Sequence, residues 1–337
     1  MLKVLIDLRV DEEGLRRLRA LPEVQVDLVE PPEEATRRPL PAERLADVNV
    51  LGCTLPPSNV DDLRSLRLVQ IASAGYTQLV GIGLPDRGVR ACNALGVFDI
   101  PIAEWNLVMM DNLLRDLRGM IRNQEQGAWD RDVRFQRELR GSTVGFWGYG
   151  GIGRETARLA KALGMTVHVL VRNGVKERTN IFRVPGTGDP EGELPDRVFG
   201  MEQKNTFLAG LDFLILGMPL TQASTGIVGE EELRSLRPTA YVLNPARGPL
   251  IQEQALLRAL RESWIAGAAL DTHYQYPMPP EHPLWGMPNV IMTPHISGSS
   301  GSPFFLRRIW DILVQNVERL QRGQPLLNEL TRQELAG

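Results

Sequence analysis

The sequence is poor in the residues that build disulfide frameworks and metal centres. Its 337 residues include two cysteines and four histidines. Cys53 and Cys92 lie in separate apolar runs typical of strands, so we expect small core side chains in a reducing compartment rather than a disulfide. The histidines lack the spacing of zinc-binding motifs, and no metal site is predicted.

A strong charge of either sign and long hydrophobic runs are also missing. The formal net charge is −3, and no cluster of lysine and arginine predicts contact with nucleic acid or an anionic membrane. No apolar stretch is long enough to cross a bilayer, and the short run 2–8 lacks the length of a signal peptide. We therefore expect a cytoplasmic protein without nucleic-acid or membrane partners.

The chain does show a regular alternation of short apolar runs with amphipathic segments. This pattern is typical of α/β proteins, in which helices cover both faces of a parallel sheet, and 337 residues suit two domains. Strands are predicted over 2–8, 24–30, 49–54, 69–73 and 89–93, then over 143–148, 166–171, 212–217, 240–243, 267–271 and 290–292. Helices are predicted over 11–21, 61–66, 102–124 and 304–320.

The most informative segment is a glycine-rich turn between a strand pattern and a helix pattern. It consists of Gly148, Tyr149, Gly150, Gly151, Ile152 and Gly153. Gly148 permits a tight turn, Gly150 allows the backbone to approach a pyrophosphate, and Gly153 allows close packing of helix on strand. The N-terminus of the helix then presents unpaired N–H groups to the phosphates. The segment predicts a dinucleotide-binding site.

The second strand of this unit is followed by basic residues instead of an acid. NAD-binding proteins place a carboxylate there, which binds both hydroxyls of the adenosine ribose. Here Val171 ends the strand, and Arg172, Asn173 and Lys176 follow. Arginine suits a 2′-phosphate because its planar fork makes two charge-assisted hydrogen bonds. Because the acid is also missing, the pattern favours NADP over NAD, and the alternative is that Arg172 and Lys176 are solvated loop charges.

Residues 173–205 form a long connection, rich in proline and glycine, without helical or strand periodicity. Connections of this length are often functional, but surface insertions share the same composition. Two interpretations stay open: a flap beside the adenosine end of the dinucleotide, and a disordered surface insertion.

Polar residues follow three later strands of the same unit. Arg247 and Gly248 follow strand 240–243, Asp271 ends strand 267–271, and His295 follows strand 290–292. The carboxyl ends of such strands line one crevice, beside the nicotinamide. Hydride transfer to a 2-oxo acid needs a cation for the carboxylate and carbonyl, and an acid that protonates the alkoxide. Arg247 and His295 have these properties and these predicted positions.

With these motifs the chain resembles the D-isomer-specific 2-hydroxyacid dehydrogenase family, in its glyoxylate/hydroxypyruvate reductase-like branch. The matching segments follow the family's order: Gly148-x-Gly-x-x-Gly153, Pro219-Leu-Thr-x-x-x-Thr225, Asn244-Pro-Ala-Arg-Gly248, Leu270-Asp271, His282-Pro-Leu-Trp285 and Thr293-Pro-His-Ile296. The resemblance implies two Rossmann-like, doubly wound parallel-sheet domains with a cleft between them. Residues 1–101 and 298–337 would form a flavodoxin-like substrate-binding domain, and residues 102–297 a dinucleotide-binding domain through which a homodimer assembles.

The resemblance also implies roles for single residues. The backbone amides of Ala74 and Gly75 would hold the substrate carboxylate. Arg247 would bind the carboxylate and the carbonyl, and His295 would be the acid/base. The resemblance implies cofactor contacts for Met218, Pro219, Thr225, Pro245, Ala246, Arg247, Asp271 and His295.

One residue departs from the family pattern. The family pairs its histidine with a glutamate, and Tyr276 stands at that place in Asp271-Thr-His-Tyr-Gln-Tyr-Pro277. A carboxylate beside an imidazole favours the imidazolium, whereas a tyrosine adds no charge, so we expect a lower pKa for His295. Tyr276 is a candidate catalytic residue for this reason. Gln275 could orient the ring instead if the loop slips by one residue, and His295 could also act alone.

These observations favour an NADP-dependent reductase of small 2-oxo acids such as glyoxylate or hydroxypyruvate. An NAD-dependent, phosphoglycerate-type dehydrogenase is an alternative enzyme, disfavoured by the missing acid at Val171. A second alternative is an NADP(H)-binding sensor or interaction protein whose catalysis is weakened by Tyr276. The presence of both Arg247 and His295 favours an enzyme over a sensor.

Overall fold

The computed structural model describes residues 1–31, 36–132 and 137–336. The chain divides into two compact units. The first contains Met1–Phe98, Thr179–Val184 and Ser300–Gly337, and the second contains Asp99–Arg178 and Pro185–Ser299.

Parallel strands and the helices between them make up both units. The strands are β1 (Leu2–Asp7), β2 (Val24–Leu28), β3 (Val50–Cys53), β4 (Leu68–Ile71), β5 (Arg90–Cys92), β6 (Thr143–Trp147), β7 (Thr166–Leu170), β8 (Arg197–Phe199), β9 (Phe213–Leu216), β10 (Tyr241–Asn244), β11 (Gly267–Leu270) and β12 (Val290–Met292). The helices are α1 (Glu12–Arg19), α2 (Asp99–Leu114), α3 (Leu117–Glu125), α4 (Gly151–Ala162), α5 (Lys204–Ala209), α6 (Glu230–Ser235), α7 (Glu253–Arg261), α8 (Pro303–Gln321) and α9 (Arg332–Ala336).

The first unit is a parallel sheet in the order β2-β1-β3-β4-β5, which is the flavodoxin-like order. Helices α1 and α8 pack against each other, and Gly14 of α1 leaves room for the fully buried indole of Trp310 in α8. Cys53 and Cys92 are buried and free, as predicted. Burial raises the pKa of both thiols, so they remain protonated core side chains.

The second unit is a parallel sheet in the order β12-β11-β10-β9-β6-β7-β8. This is the doubly wound order of dinucleotide-binding folds, with the strand order reversing between β6 and β9. The prediction of two α/β parallel-sheet units is confirmed. The carboxyl ends of β6, β9, β10, β11 and β12 lie along one edge of the sheet, where ligands of such folds bind.

Two predictions about local structure are wrong, and strand β8 was missed. The helix predicted over 61–66 is a 3₁₀ turn, Val60–Asp62, because apolar side chains at i and i+3 suit a single turn as well as a helix. The helix predicted over 102–124 is divided into α2 and α3 at Asp116, which has φ of +48° and caps α3 by accepting the Gly119 N–H. Strand β8 was not predicted, because Arg197-Val-Phe199 contains only two apolar residues and directly follows a segment rich in proline and glycine.

The insertion between β7 and β8 is packed, so its interpretation as a disordered surface segment is wrong. Phe182 and Asp189 are both buried. Residues Thr179–Val184 belong to the first unit, although the predicted boundaries placed them in the dinucleotide-binding domain. Phe182 explains the difference, because it packs in the core formed by α8 and the strands of the first unit.

Within the described ranges, no helix combines the length and apolar character needed to cross a membrane. Among the same residues, histidine, cysteine and carboxylate side chains form no group of three that could hold a metal ion.

Candidate active site

The glycine-rich turn joins β6 to α4. Gly148 has φ of +92°, and a Cβ atom there would lie 2.8 Å from the carbonyl oxygen of Gly217. A Cβ atom on Gly150 would have no neighbour within 4 Å, whereas one on Gly153 would lie 3.4 Å from the Gly148 carbonyl oxygen. Gly148 thus permits the tight turn, Gly150 leaves space for a pyrophosphate, and Gly153 allows the helix to pack closely. A dinucleotide-binding turn needs all three properties.

The first turn of α4 presents free backbone donors. The N–H groups of Gly151, Ile152 and Gly153 make no hydrogen bond to any described residue. Together with the positive end of the helix dipole, these groups suit a pyrophosphate. The carboxylate of Asp99, at the start of α2, fills the space that a side chain at Gly151 would need. Sequence reasoning missed this contact because no motif joins the two positions.

Tyr149 connects the glycine-rich turn to the insertion. Its hydroxyl donates to Asp189 Oδ2 at 2.7 Å. Burial and this hydrogen bond raise the pKa of the Tyr149 hydroxyl, which therefore stays a donor. Arg154 of α4 donates to the carbonyl oxygens of Asp189 and Lys176. This part of the insertion is therefore fixed to the glycine-rich turn. The composition of the insertion did not predict these contacts.

The predicted phosphate-binding residues follow β7. Arg172, Asn173 and Lys176 are exposed, and their side chains make no hydrogen bond or ion pair with any described residue. Val171 occupies the place of the acid that binds an unphosphorylated ribose. The carboxyl end of β7 is therefore cationic and has no partner anion among the described side chains.

The turn after β9 lies beside the glycine-rich turn, since β9 and β6 are neighbours. Met218 and Pro219 begin it, and Ser224 Oγ donates to the carbonyl oxygen of Pro219 at 2.8 Å. Thr225 Oγ1 donates to the Thr221 carbonyl oxygen at 2.8 Å. These bonds fix Pro219 and Thr225, and Met218 precedes them at the edge where the strands end.

Asn244 shapes the turn that carries Arg247. Its Oδ1 accepts the N–H groups of Ala246 and Arg247 at 3.1 and 3.2 Å, and its Nδ2 donates to the Arg247 carbonyl oxygen at 2.8 Å. Gly248 lies directly against the backbone of His273, which leaves no room for a side chain. The Arg247 guanidinium is exposed and forms no ion pair with a described residue, so it is available to an anionic ligand. Pro245 and Ala246 lie in the same turn.

Asp271 holds the turn that carries His295. Its carboxylate is fully buried and accepts the Thr293 hydroxyl at 2.6 Å and the Ile296 N–H at 2.9 Å. It also accepts the N–H and the hydroxyl of Ser297. His295 sits in the middle of this turn with φ of +58°. A residue other than glycine is strained in this left-handed conformation and keeps it where the surrounding structure holds it there. The cofactor contact of Asp271 stays a prediction, and in the structure its carboxylate fixes the backbone of the turn that carries His295.

Tyr276, and not Gln275, lies beside the histidine. The rings of Tyr276 and His295 are 5.6 Å apart between centroids. The Tyr276 hydroxyl accepts the backbone N–H of His273 at 3.1 Å. Gln275 is exposed, and its side chain makes no hydrogen bond to a described residue. No side chain within the described ranges hydrogen-bonds the His295 ring.

The electrostatic surroundings of His295 follow from this arrangement. Desolvation lowers the pKa of His295 below its ordinary value, and the Asp271 carboxylate raises it in part. Arg247 and His273 lower the pKa further. The imidazole is therefore held toward its neutral form, chiefly by desolvation.

In the first unit, the loop after β4 carries the predicted carboxylate-binding amides. The N–H groups of Ala74 and Gly75 make no hydrogen bond to any residue that the structure describes. Gly75 is exposed, and a Cβ atom there would have no neighbour within 4 Å. Ser73 Oγ donates to the Gly75 carbonyl oxygen at 2.7 Å and fixes the turn. Adjacent free amides of this kind suit an anion.

Comparison with known proteins agrees with this geometry. The family model "D-isomer specific 2-hydroxyacid dehydrogenase, NAD binding domain" matches residues 107–297. Glyoxylate reductase of Thermofilum pendens is 29% identical over 330 residues, which cover 96% of this chain and 92% of that protein. D-3-phosphoglycerate dehydrogenase of Methanocaldococcus jannaschii is 29% identical over 328 residues, which cover 96% of this chain and 58% of that protein.

A solved structure extends the likeness to the fold. The D-isomer specific 2-hydroxyacid dehydrogenase of Xanthobacter autotrophicus, in complex with NADPH and MES, has a TM-score of 0.75 and 26% identity, covering 98% of this chain and 99% of that one. The sheet orders, the glycine-rich turn and the residues after β10, β11 and β12 are consistent with these matches. The chain belongs to the D-isomer-specific 2-hydroxyacid dehydrogenase family.

Proposed function

We propose that the protein reduces small 2-oxo acids of the glyoxylate and hydroxypyruvate type to 2-hydroxy acids with NADPH. The observation that carries this proposal is the pair formed by Arg247 and His295. The turns that bear them follow strands at one edge of the sheet, and each turn is fixed by a buried polar side chain. The name of the Thermofilum pendens relative supports the same substrate class.

The residues of the second unit fit a bound dinucleotide. The free N–H groups of Gly151, Ile152 and Gly153 would hold its pyrophosphate, and the exposed Arg172 would bind a 2′-phosphate. Asn173 and Lys176 add polar contacts beside it. When bound, the cofactor supplies the hydride that is added to C2 of the substrate. NADPH in the complex of the Xanthobacter autotrophicus relative supports the choice of the phosphorylated cofactor.

The chain's own residues then complete the reduction. The Arg247 guanidinium binds the carboxylate and polarises the carbonyl oxygen as negative charge develops on it. The His295 imidazolium donates its proton to that oxygen and becomes neutral. The free amides of Ala74 and Gly75 bind the substrate carboxylate in this proposal. In the reverse direction, neutral His295 removes the hydroxyl proton.

Assays of cofactor oxidation test this proposal directly. NADPH and NADH are each offered with glyoxylate, hydroxypyruvate and pyruvate, and we expect NADPH to be oxidised faster. Oxidation of phosphoglycerate with NAD would instead support the alternative suggested by the Methanocaldococcus jannaschii relative. Tight binding of NADPH without turnover on any 2-oxo acid would support the sensor alternative.

The phosphate-binding role of Arg172 is tested by Arg172→Ala in the same assays. Loss of a charge-assisted bidentate contact should weaken NADPH binding about ten- to a hundredfold and leave NADH binding unchanged. Arg261→Ala is the control, because it removes an exposed cation from the end of α7 in the same unit. Equal losses for both cofactors would contradict the assignment.

The environment of His295 predicts the pH dependence of reduction. Its pKa is lowered, so the proton-donating imidazolium is lost as pH rises through a value below the ordinary 6.5. Tyr276→Glu places a carboxylate beside the ring, which raises the pKa and moves the alkaline limb of kcat/KM up by about one pH unit. Tyr276→Gln adds no charge and should leave the limb in place. A Tyr276→Glu profile that overlays the wild-type curve would refute this account.

We propose further that the chain forms a homodimer through the second unit. Helices α2 and α3 expose Val108, Met120 and Ile121, with 52%, 43% and 47% of each residue accessible. Covering such apolar surface by a second copy would remove it from water. Analytical ultracentrifugation should show twice the chain mass, and Met120→Asp with Ile121→Asp should give the monomer. Leu163→Asp, which changes an exposed leucine at the end of α4, should leave the dimer intact. A monomeric wild type would exclude this interface.

A further inference from the structure

The middle of the insertion is an integral part of the first unit. Phe182 is 6% exposed and packs in the core that also contains Val97 and Ile309. Its carbonyl oxygen occupies the space that a side chain on Gly96 would need, and Gly96 has φ of +89°. Close approach of these two backbones therefore depends on glycine at position 96.

Buried Asn328 links this segment to the end of β5. Its Oδ1 accepts the Phe182 N–H at 3.0 Å, and its own N–H donates to the Asn180 carbonyl oxygen at 2.9 Å. Its Nδ2 donates to the carbonyl oxygens of Asn93 and Leu95 at 3.1 and 2.9 Å. Asn328 is 2% exposed, so each of these bonds is shielded from water.

Asn93 continues the connection to the loop after β4. Its Nδ2 donates to the Ala74 carbonyl oxygen at 2.9 Å, and its Oδ1 accepts the Leu95 N–H at 3.2 Å. The next residue, Ala94, donates its N–H to the Ser73 carbonyl oxygen at 2.9 Å. Two carbonyl groups of the loop are thus fixed, while the N–H groups of Ala74 and Gly75 stay free.

We propose that residues Thr179–Val184 are a positioning element for the carboxylate-binding loop, with Phe182 as its anchor. The proposal rests on the proposed function, since it assumes that Ala74 and Gly75 bind the substrate carboxylate. A fully satisfied network of buried amides is rigid. Two amides bind one carboxylate well only when their directions are fixed before the ligand arrives. The insertion therefore sets substrate affinity through the Asn328 and Asn93 side chains.

A purely structural role for Phe182 predicts a different result. If the ring only fills the core, its loss lowers the thermal stability and reduces kcat in proportion to the fraction of folded enzyme. If it positions the loop, the KM for the 2-oxo acid rises while kcat and the KM for NADPH stay near wild type. The two roles are therefore separated by the split between KM and kcat.

The experiment compares Phe182→Ala with wild type by two measurements. Hydrogen exchange of the Ala94 amide reports the bond to the loop, and initial rates report the KM for glyoxylate and hydroxypyruvate. We expect faster exchange of Ala94 and a KM about three- to tenfold higher, which corresponds to one weakened hydrogen bond. Arg183→Ala is the matched control, because Arg183 is an exposed neighbour in the same segment whose side chain has no partner among the described residues.

Each outcome decides the proposal. A folded Phe182→Ala protein with wild-type exchange of Ala94 and wild-type KM would overturn it, as would equal changes in the control. If Phe182→Ala does not fold, Phe182→Leu, which keeps an apolar side chain, is judged by the same two measurements with smaller expected changes. If the wild-type protein reduces no 2-oxo acid, the proposed function is contradicted. Faster exchange of the Ala94 amide in Phe182→Ala would still support the positioning of the loop.

Discussion

The buried carboxylate of Asp271 is the constraint on which the candidate active site depends. A charge without access to water is tolerated only when its oxygens are fully hydrogen-bonded. Here the donors all come from residues 293–297, so satisfying the carboxylate also folds this turn. His295 is held in the left-handed region as a consequence. The backbone position of His295 thus depends on the hydrogen bonds of a residue that has no exposed surface of its own.

The same principle applies at the neighbouring strand. Buried Asn244 satisfies the backbone of the turn after β10, and Arg247 is left exposed at its end. Because β10, β11 and β12 are adjacent and parallel, a cation and an imidazole come to one edge of the sheet. The strand order places the two turns side by side, and the Asn244 amide and the Asp271 carboxylate fix the backbone of each turn. In the first unit, Asn93 does the same for the Ala74–Gly75 loop.

The sequence was most informative where a period or a motif spans many residues. The strands other than β8, the glycine-rich turn and the placement of Arg247 and His295 at strand ends all follow from patterns of this kind. The break at Asp116, strand β8 and the place of Thr179–Val184 in the first unit were missed, because each depends on a few residues and on tertiary contacts. The contact of Asp99 with Gly151 and the bond from Tyr149 to Asp189 have no sequence signal, since their partners are distant along the chain.

The exchange of a carboxylate for Tyr276 leaves His295 without a charged partner at its ring, and the neutral imidazole is correspondingly favoured. We propose that His295 nevertheless donates the proton. His295→Asn tests it most directly, because asparagine tolerates the left-handed backbone and should leave the turn intact. We expect NADPH binding equal to wild type and a kcat for 2-oxo acid reduction lower by about 10²–10⁴-fold. A variant that binds NADPH and keeps the wild-type kcat would contradict it.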